Sequence, residues 1–307
     1  MTRKPRFFTL LGVLALTMNP MNSQIRWQEA ESYTHASVEA HLAVSEKAPA
    51  SGGASVAGVA FGEAGQQVAY RMELEAPVPR AVLWLRYARL HFREGMDPAR
   101  LAVAVRAGSA QLEAAFTCGN TGGWGSLRGK EWHWLRVPLG ADLPAGPLEL
   151  AFRAEEAGAN INLDGFYLAS EAFAMEPETG RSFERVRFFN DGYAGLRIPG
   201  DTVFPGAFDG FALVLGEFHG GSRPVAIELL GASGTATPLL NPARVSLRAE
   251  PLAIEVEAAA LDPFPDGDYT LRLTCRESEP PLTYPLTILR DGVQAAREAA
   301  AAFRERA

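Results

Sequence analysis

The sequence predicts an all-β protein built from two β-sandwiches in succession. Apolar and polar residues alternate with a period of two, as at Val68, Tyr70, Met72 and Leu74, which is typical of half-buried strands. Glycine, proline and asparagine interrupt the alternation every few residues and predict turns. A helix of any length can be placed only after residue 290. Many short strands at such spacing are typical of a sandwich or jelly roll.

The first half, residues 25–170, is predicted to form a β-jelly-roll domain. Residues 82–87 are apolar on both alternating faces, which predicts a strand that is buried on both sides. Trp84 in this strand is therefore assigned to the core. Trp132 and Trp134 share one face of a later strand and are expected to be buried together. The other predicted strands of this half are residues 68–74, 101–106, 111–116, 131–139, 148–153 and 160–168.

The second half, residues 180–290, is predicted to form a smaller immunoglobulin-like β-sandwich. The pattern loosens around residues 170–182, where we place the boundary, and about seven strands then follow in about 110 residues. These strands are residues 183–189, 211–218, 225–230, 244–248, 253–257, 269–275 and 283–289. The aromatic residues of this half are assigned to its core: Phe183, Phe188, Phe189, Phe204, Phe208, Phe211 and Phe218.

Both ends of the chain differ from the β pattern. Residues 1–24 combine a basic start, a short apolar run and a polar stretch, which predicts a signal peptide and a secreted or cell-surface bacterial protein with no membrane span in the mature chain. An uncleaved anchor is the alternative. Residues 291–307 are rich in alanine, with Glu and Arg at helical spacing, and predict a helix opened by Asp291. That helix either leads to a further domain or packs on the sandwich.

Charge and cysteine content exclude some classes of protein. The net charge of −7 argues against a nucleic-acid partner, which requires a clustered basic face. Cys118 and Cys275, the two cysteines, lie in different predicted domains, so two unpaired thiols are expected.

The sequence carries no catalytic signature. It has no G-x-S-x-G elbow, no H-E-x-x-H, no C-x-x-C and no phosphate loop, and its five histidines lack metal-ligand spacing. Paired carboxylates could serve a glycosidase, but their separation is not readable from sequence. We therefore predict a non-catalytic protein.

Polar residues with binding chemistry lie at the two ends of the first half. Glu29 and Glu31 open it, and Asn160, Asn162 and Asp164 close it. If the first and last strands lie side by side, three carboxylates and two carboxamides come to one region. Such a cluster can hold a hard cation or a sugar.

Several short segments of the first half occur in an order that is typical of a known family. They are residues 29–31, 50–53, 56–58, 83–88, 122–124 and 132–139, Gly146, and residues 160–166. In this order, over residues 25–169, the chain resembles carbohydrate-binding modules of families 6 and 35. Those are calcium-bearing β-jelly rolls that are often attached to polysaccharide-degrading enzymes. The chain departs from the family in a longer loop at residues 89–100, where residues 91–95 could reshape a binding site.

The resemblance implies a structural calcium ion held by Glu29, Glu31 and Asp164. Calcium takes six to eight oxygen ligands, and two glutamates two residues apart on a strand would present both carboxylates on one face. Backbone carbonyl groups would complete the site. The alternative is that these are ordinary exposed acids on a solvated strand face.

The resemblance also implies a sugar site at the loop end of the jelly roll. Trp124 lies between glycines and is the predicted platform for the apolar face of a pyranose ring. Asn160 or Asn162 would supply an amide for the hydroxyl groups, and Tyr33 a second aromatic wall. A core position for Trp124 is the competing interpretation.

Taken together, these features predict a secreted, non-catalytic protein that binds a polysaccharide or oligosaccharide and carries structural calcium. The second domain would be a spacer or docking module. One alternative is the accessory region of a larger secreted hydrolase, linked to or associated with its catalytic domain. The other is a structural or adhesive cell-surface protein, which predicts that Trp124 is buried.

Overall fold

The fold was analysed in a computed structural model, which describes residues 25–39, 43–47, 49–90, 98–126, 130–173, 183–217, 221–247, 251–275 and 280–290. Within these residues the chain is all-β, as predicted, with strands and four short 3-10 turns. The predicted signal peptide (1–24), C-terminal helix (291–307) and loop 91–95 lie outside the described residues, as does most of the predicted boundary. No helix in the described part of the chain is long and apolar enough to cross a membrane.

Two sheets form the first sandwich. Its strands are β1 (Arg26–Glu29), β2 (His35–Ala36), β3 (Val44–Glu46), β4 (Ala54–Val56), β5 (Gln67–Leu74), β6 (Ala81–Ala88), β7 (Ala99–Ala107), β8 (Ala110–Cys118), β9 (His133–Pro138), β10 (Gly146–Ala154) and β11 (Asn162–Ser170). Sheet 1 has the order β2-β5-β10-β7-β8. Sheet 2 has the order β3-β4-β11-β6-β9, and β1 also pairs with β11. All pairs are antiparallel, and the 3-10 turns Ala30–Ser32 and Gly58–Phe61 lie between strands.

Two further sheets form the second sandwich. Its strands are β12 (Arg185–Phe189), β13 (Gly192–Arg197), β14 (Thr202–Val203), β15 (Gly210–Glu217), β16 (Gly221–Leu230), β17 (Ala236–Leu247), β18 (Leu252–Glu257), β19 (Gly267–Thr274) and β20 (Leu282–Ile288). Sheet 3 has the order β12-β13-β15-β18, and sheet 4 the order β14-β20-β19-β16-β17. The pair β14–β20 is parallel. The 3-10 turns of this half are Pro205–Ala207 and Ala258–Leu261.

Each sandwich encloses its own apolar core. In the first, alternate residues of β5, β7 and β10 from sheet 1 meet Leu83, Leu85, Phe166 and Leu168 from sheet 2. In the second, sheets 3 and 4 meet over a core of aliphatic side chains with a few aromatic ones. Cys118 is buried in the first core and Cys275 in the second, and the two do not form a disulfide, as the sequence predicts.

A third apolar core lies between the two sandwiches, where sheet 2 faces sheet 3. We call it the seam core. From the first sandwich and the segment that follows it come Ile25, Tyr167, Ala169 and Phe173, and from the second Phe183, Val186, Phe188, Tyr193 and Val214. Trp27, Trp84 and Trp134 pack against it. Sheets 2 and 3 are therefore each covered on both faces, and the four sheets stack in the order 1, 2, 3, 4.

The seam core explains the pattern that predicted a doubly buried strand at β6. Leu83 and Leu85 face the first core, whereas Trp84 faces the seam core. The assignment of Trp84 to the core of the jelly roll is thus corrected, because the second sandwich is what covers it. Trp134 is also at the seam, where it stacks on Tyr167 at 5.9 Å between ring centroids. Trp132 is 6% exposed and packs in a small separate cluster.

Five residues of the predicted aromatic set of the second half divide between two cores, whereas Phe204 is only partly buried and Phe218 lies outside the described residues. Phe183 and Phe188 lie in the seam core, whereas Phe189, Phe208 and Phe211 lie in the core of the second sandwich. Their burial confirms a packing role for these five.

Tyr167 connects the sandwiches through a hydrogen bond as well as through its ring. Its hydroxyl donates to the carbonyl oxygens of Phe189, at 2.8 Å, and Gly192, at 3.2 Å.

We expect Tyr167→Phe to lower the free energy of unfolding by about 1 kcal/mol, because a buried hydrogen bond contributes about that much. Urea denaturation checks it.

Tyr70→Phe provides a matched control for Tyr167→Phe. The hydroxyl of Tyr70 is also buried and donates to Ala30 O at 2.9 Å, within the first sandwich. A similar loss of stability is expected, but amide exchange around residues 189–192 should accelerate in Tyr167→Phe alone. Equal acceleration in both variants would contradict a seam role for the Tyr167 hydroxyl.

Candidate functional site

The first and last strands of the first sandwich lie side by side, as the sequence predicts. β1 pairs with β11 in antiparallel register, with Glu29 opposite Gly165. The absence of a side chain at Gly165 is required here, because a Cβ would lie 2.4 Å from Cζ2 of Trp27. The pairing of β11 with β6 shifts register between Leu163 and Gly165, so the irregularity falls at Asp164.

Asp164 is completely buried and forms an ion pair with Arg86 of β6. The Arg86 guanidinium, 2% exposed, donates through Nη1 to Asp164 Oδ2 at 2.5 Å. The backbone N–H of Ser51 donates to Oδ1 at 2.7 Å. Arg86 also lies over the rings of Trp132 and Phe188, at 5.4 and 5.0 Å from their centroids, a favourable placement for a cation.

Glu29 and Glu31 lie beside this ion pair. Ser51 Oγ donates to Glu29 Oε1 at 2.7 Å. The Oε2 atoms of both glutamates are buried and have no hydrogen-bond partner. β1 ends at Glu29, so Glu31 lies in the following 3-10 turn and not on the same strand. The expectation of two glutamates on one strand face is therefore wrong, although both side chains still border one cavity.

Burial and mutual repulsion raise the pKa values of this acidic group. The pKa of Glu29 is raised to about 8, chiefly by burial and then by the charges of Asp164 and Glu31. Burial is also the main reason that the pKa of Glu31 is raised to about 7, while Arg187 of the second sandwich opposes the rise. Burial raises the pKa of Asp164 too, against the effect of Arg86.

The acidic group fits a hard cation in part. Two carboxylates each retain a buried, unpartnered oxygen, and oxygen is the donor that calcium prefers. Both oxygens of Asp164 already accept hydrogen bonds, so its direct ligation stays a prediction. Among the described residues, no group of three or more His, Cys, Asp or Glu side chains is arranged to hold a metal ion. A cation here would need backbone carbonyl groups or water as further ligands.

The loop that carries Trp124 is held in place by a hydrogen bond to Glu131. This carboxylate is 8% exposed and accepts the backbone N–H of Ser126 at 2.8 Å. Gly123 lies directly on it, since a Cβ at that position would be 1.8 Å from Glu131 Cδ. Trp124 itself is only partly buried. The buried position predicted for it by the structural or adhesive alternative is not observed.

Trp124, Asn160 and Asn162 come together around Gly58. A Cβ built on Gly58 would lie 3.3 Å from Asn160 Cβ, 3.4 Å from Trp124 Cζ3 and 3.6 Å from Asn162 Oδ1. The three residues predicted from separate parts of the sequence thus form one site, with the 3-10 turn Gly58–Phe61 as its floor. Asn160 is partly exposed there.

Asn162 is held by two hydrogen bonds within the protein. It is 5% exposed, its Nδ2 donates to Trp124 O at 2.7 Å, and its Oδ1 accepts the N–H of Gly58 at 2.8 Å. Both ends of the amide are therefore engaged with the protein. The side chain therefore holds the Trp124 loop to the floor of the site, and its assignment as a sugar contact stays a prediction.

Tyr33 packs against the first core. Its role as a second aromatic wall stays a prediction.

Sequence reasoning missed four residues that shape the two sites. Arg86 had a detectable signal, because a charge inside a strand apolar on both faces needs a buried partner. Ser51 and Gly58 lie in two of the segments that carry the resemblance, residues 50–53 and 56–58, and Glu131 lies in a predicted strand, but nothing in the sequence indicated their individual contacts.

Two cavities border the first sandwich. One, of about 410 Å³, lies between the sandwiches and is lined by Trp27, Glu29, Glu31, Gly52, Arg187, Phe188, Phe189, Asn190 and Pro280. The other, of about 550 Å³, lies on the outer face of sheet 1. Its charged lining is largely paired, as in Arg71–Glu149 at 2.9 Å and Arg153–Glu113 at 2.6 Å.

No family model and no curated protein matches the sequence. Solved structures do. A family 6 carbohydrate-binding module of a marine laminarinase from Zobellia galactanivorans is 19% identical, covering 48% of this chain and 99% of the module, with a TM-score of 0.32. A family 35 module from Clostridium thermocellum is 17% identical, with coverages of 48% and 99% and a TM-score of 0.35. A family 35 module from Cellvibrio japonicus is 14% identical, with coverages of 51% and 98% and a TM-score of 0.33.

These modules belong to the two families that the first half of the sequence resembles. At these identities and TM-scores the likeness carries no argument about function, and the ligand must be argued from the residues of this chain.

Proposed function

We propose that this protein binds a carbohydrate through Trp124 and Asn160 of the first sandwich and carries a calcium ion beside Glu29 and Glu31. The observation that supports the sugar site is the placement of Trp124. Trp124 is partly exposed although its loop is held by two buried side chains, Asn162 and Glu131. An aromatic residue that keeps some exposure in a loop held in this way is suited to stacking on a sugar.

The chemistry of such a site is an apolar platform with a few placed polar groups. The face of an indole packs against the C–H groups of a pyranose ring, and an amide bonds its hydroxyl groups. The loop is already fixed, so little conformational entropy is lost when the sugar binds. A shallow site buries little area, and we expect weak binding to single sugars and stronger retention on repeated polymers.

Binding of the full chain to a panel of soluble and insoluble polysaccharides tests the sugar site. The full chain is required because a fragment ending near residue 173 would expose the aromatic side chains of the seam core. Retention on one glycan class supports the proposal. No retention by a folded protein on any glycan contradicts it.

Calcium would be held by Glu29 and Glu31, with Asp164 adjacent. Once bound, it would supply positive charge to carboxylates that the protein leaves incompletely compensated. The unpartnered Oε2 atoms support this, because buried charged oxygens without a partner are costly.

A secreted location, and a hydrolase linked to or associated with this chain, belong to the same proposal. No catalytic role is assigned to any residue. The second sandwich would serve as a rigid support for the first, since sheets 2 and 3 share the seam core.

The two asparagines of the sugar site should respond differently to truncation. Asn160→Ala is expected to weaken glycan binding with little change in stability, because this side chain is partly exposed. Asn162→Ala should weaken binding and also lower the free energy of unfolding by about 1–3 kcal/mol, since it leaves two buried backbone groups without partners.

Affinity electrophoresis and urea denaturation of both variants check this difference. A stability loss in Asn160→Ala equal to that in Asn162→Ala would contradict the division of roles.

Removal of calcium should make stability depend on pH. Glu29 and Glu31 have folded-state pKa values raised to about 8 and about 7, above the value of about 4.5 expected when unfolded. The folded state then binds more protons between these limits, so stability is present at low pH and falls as the pH rises through about 7–8. In chelator, we expect the melting temperature to decrease between pH 5 and pH 8.5, by several degrees.

Calcium should oppose this decrease, because it compensates the same carboxylates when they ionise. The difference in melting temperature between calcium and chelator is therefore expected to grow with pH. The double variant Glu29→Gln/Glu31→Gln is the control and should lose most of both effects. A pH dependence of unchanged size in this variant would contradict the assignment.

A further inference from the structure

We infer that the cation site is a joint between the two sandwiches, so that calcium binding strengthens the docking of the second sandwich on the first. This inference rests on the calcium part of the proposed function. It goes further in assigning the second sandwich a share in the site, and in predicting that cation affinity and docking depend on one another.

Ser51 is the first link across the joint. Its hydroxyl donates to Glu29 Oε1 at 2.7 Å and accepts the backbone N–H of Phe188 in β12 at 3.1 Å. Its own N–H donates to Asp164. One buried residue, 0% exposed, therefore contacts the acidic group and the second sandwich at once.

The neighbouring backbone supplies a second link. Gly52 N donates to Val186 O at 3.2 Å, and Ser51 forms a bridge with Val186. A Cβ built on Gly52 would lie 3.3 Å from Glu31 Oε1. Residues 51 and 52 thus lie between the carboxylates and β12, where a shift of either would move the other.

The cavity beside the glutamates has one wall from each sandwich. Glu29, Glu31 and Gly52 line one side, and Arg187 and Asn190 the other. The walls are tied together by the backbone N–H of Trp27, which donates to Asn190 Oδ1 at 2.8 Å.

Charge explains why a cation would matter to this joint. Two buried Oε2 atoms have no hydrogen-bond partner, and Arg187 from the second sandwich lines the same cavity. Without a cation, closing the cavity desolvates carboxylates that the protein compensates only in part. With a cation bound, this penalty is reduced and Glu29 is fixed against Ser51. By linkage, whatever favours docking must then favour cation binding to the same extent.

Hydrogen exchange of the full-length protein, in calcium and in chelator, measures docking directly. We expect amides of residues 186–190 and 51–53 to exchange at least about fivefold faster in chelator. Residues 267–274, in β19 at the far side of the second sandwich, are the internal control and should be unaffected.

Asn190→Ala tests the reverse direction of the linkage. It removes the acceptor for Trp27 N–H without changing a carboxylate. Calcium affinity, measured by titration calorimetry, is expected to fall by about fivefold or more. Asn120→Ala is the matched control, because Asn120 lies in the Trp124 loop and does not line the cavity, and its calcium affinity should equal that of the wild type.

The possible outcomes distinguish failure of this inference from failure of the calcium proposal on which it rests. Absence of calcium binding by the wild type would overturn the calcium proposal and the joint together. Calcium binding with unchanged exchange at residues 186–190 would overturn the joint alone, as would unchanged affinity in a folded Asn190→Ala variant. Faster exchange in chelator together with weaker binding by Asn190→Ala supports it.

Discussion

Trp124→Ala is expected to abolish measurable retention on the glycan that the wild type binds. Aromatic contacts contribute about 0.5–1.5 kcal/mol beyond the area that they bury, and every 1.4 kcal/mol changes affinity by about tenfold. Loss of the whole platform should therefore weaken binding by at least about tenfold. Affinity electrophoresis and calorimetry against the selected polysaccharide measure the effect.

Trp124→Phe is the control for this loss. It retains an aromatic face and should keep part of the affinity. Both variants should remain folded, because the loop is also held by Asn162 and Glu131. Binding that survives Trp124→Ala would contradict the proposed site and direct attention to the polar cavity on the outer face of sheet 1.

The residues proposed for this site could be selected from the sequence because they occur in local patterns. A tryptophan between glycines has little strand in which to pack, and the closing segment at residues 160–168 is recognisable from its alternation. The adjacency of Glu29 and Asp164 followed from one topological premise, that the terminal strands of the first sandwich are neighbours, and the pairing of β1 with β11 confirms it.

The seam core could not be predicted, because the apolar residues that form it could equally belong to the core of their own sandwich. Trp84 on a doubly apolar strand is equally consistent with a large jelly-roll core, and Phe188 with the core of its own sandwich. Only three-dimensional packing shows that both face the space between sheets 2 and 3. The hydrogen bonds of Asn162 could not be predicted for a related reason. The sequence does not show whether an amide at a loop end contacts a sugar or a backbone carbonyl.

The buried ion pair between Arg86 and Asp164 should give the largest effect on stability. Asp164→Ala, measured by urea denaturation in chelator so that no bound calcium contributes, is expected to lower the free energy of unfolding by about 3–5 kcal/mol. Removing one member of a buried pair leaves the other charge uncompensated. Arg86 is 2% exposed, with Trp132 and Phe188 against its guanidinium, so it cannot reach water without disturbing both sandwiches.

The double variant Arg86→Met/Asp164→Ala distinguishes the cost of a stranded charge from the loss of an attractive contact. If the stranded guanidinium causes the destabilisation, the double variant should recover much of the lost stability, because it buries no charge. A double variant as unstable as the sum of the two single variants would show that the residues act independently. Asp164→Ala also removes the acceptor of Ser51 N–H, so the stability that remains lost in the double variant measures what Asp164 contributes through Ser51 and the joint between the sandwiches.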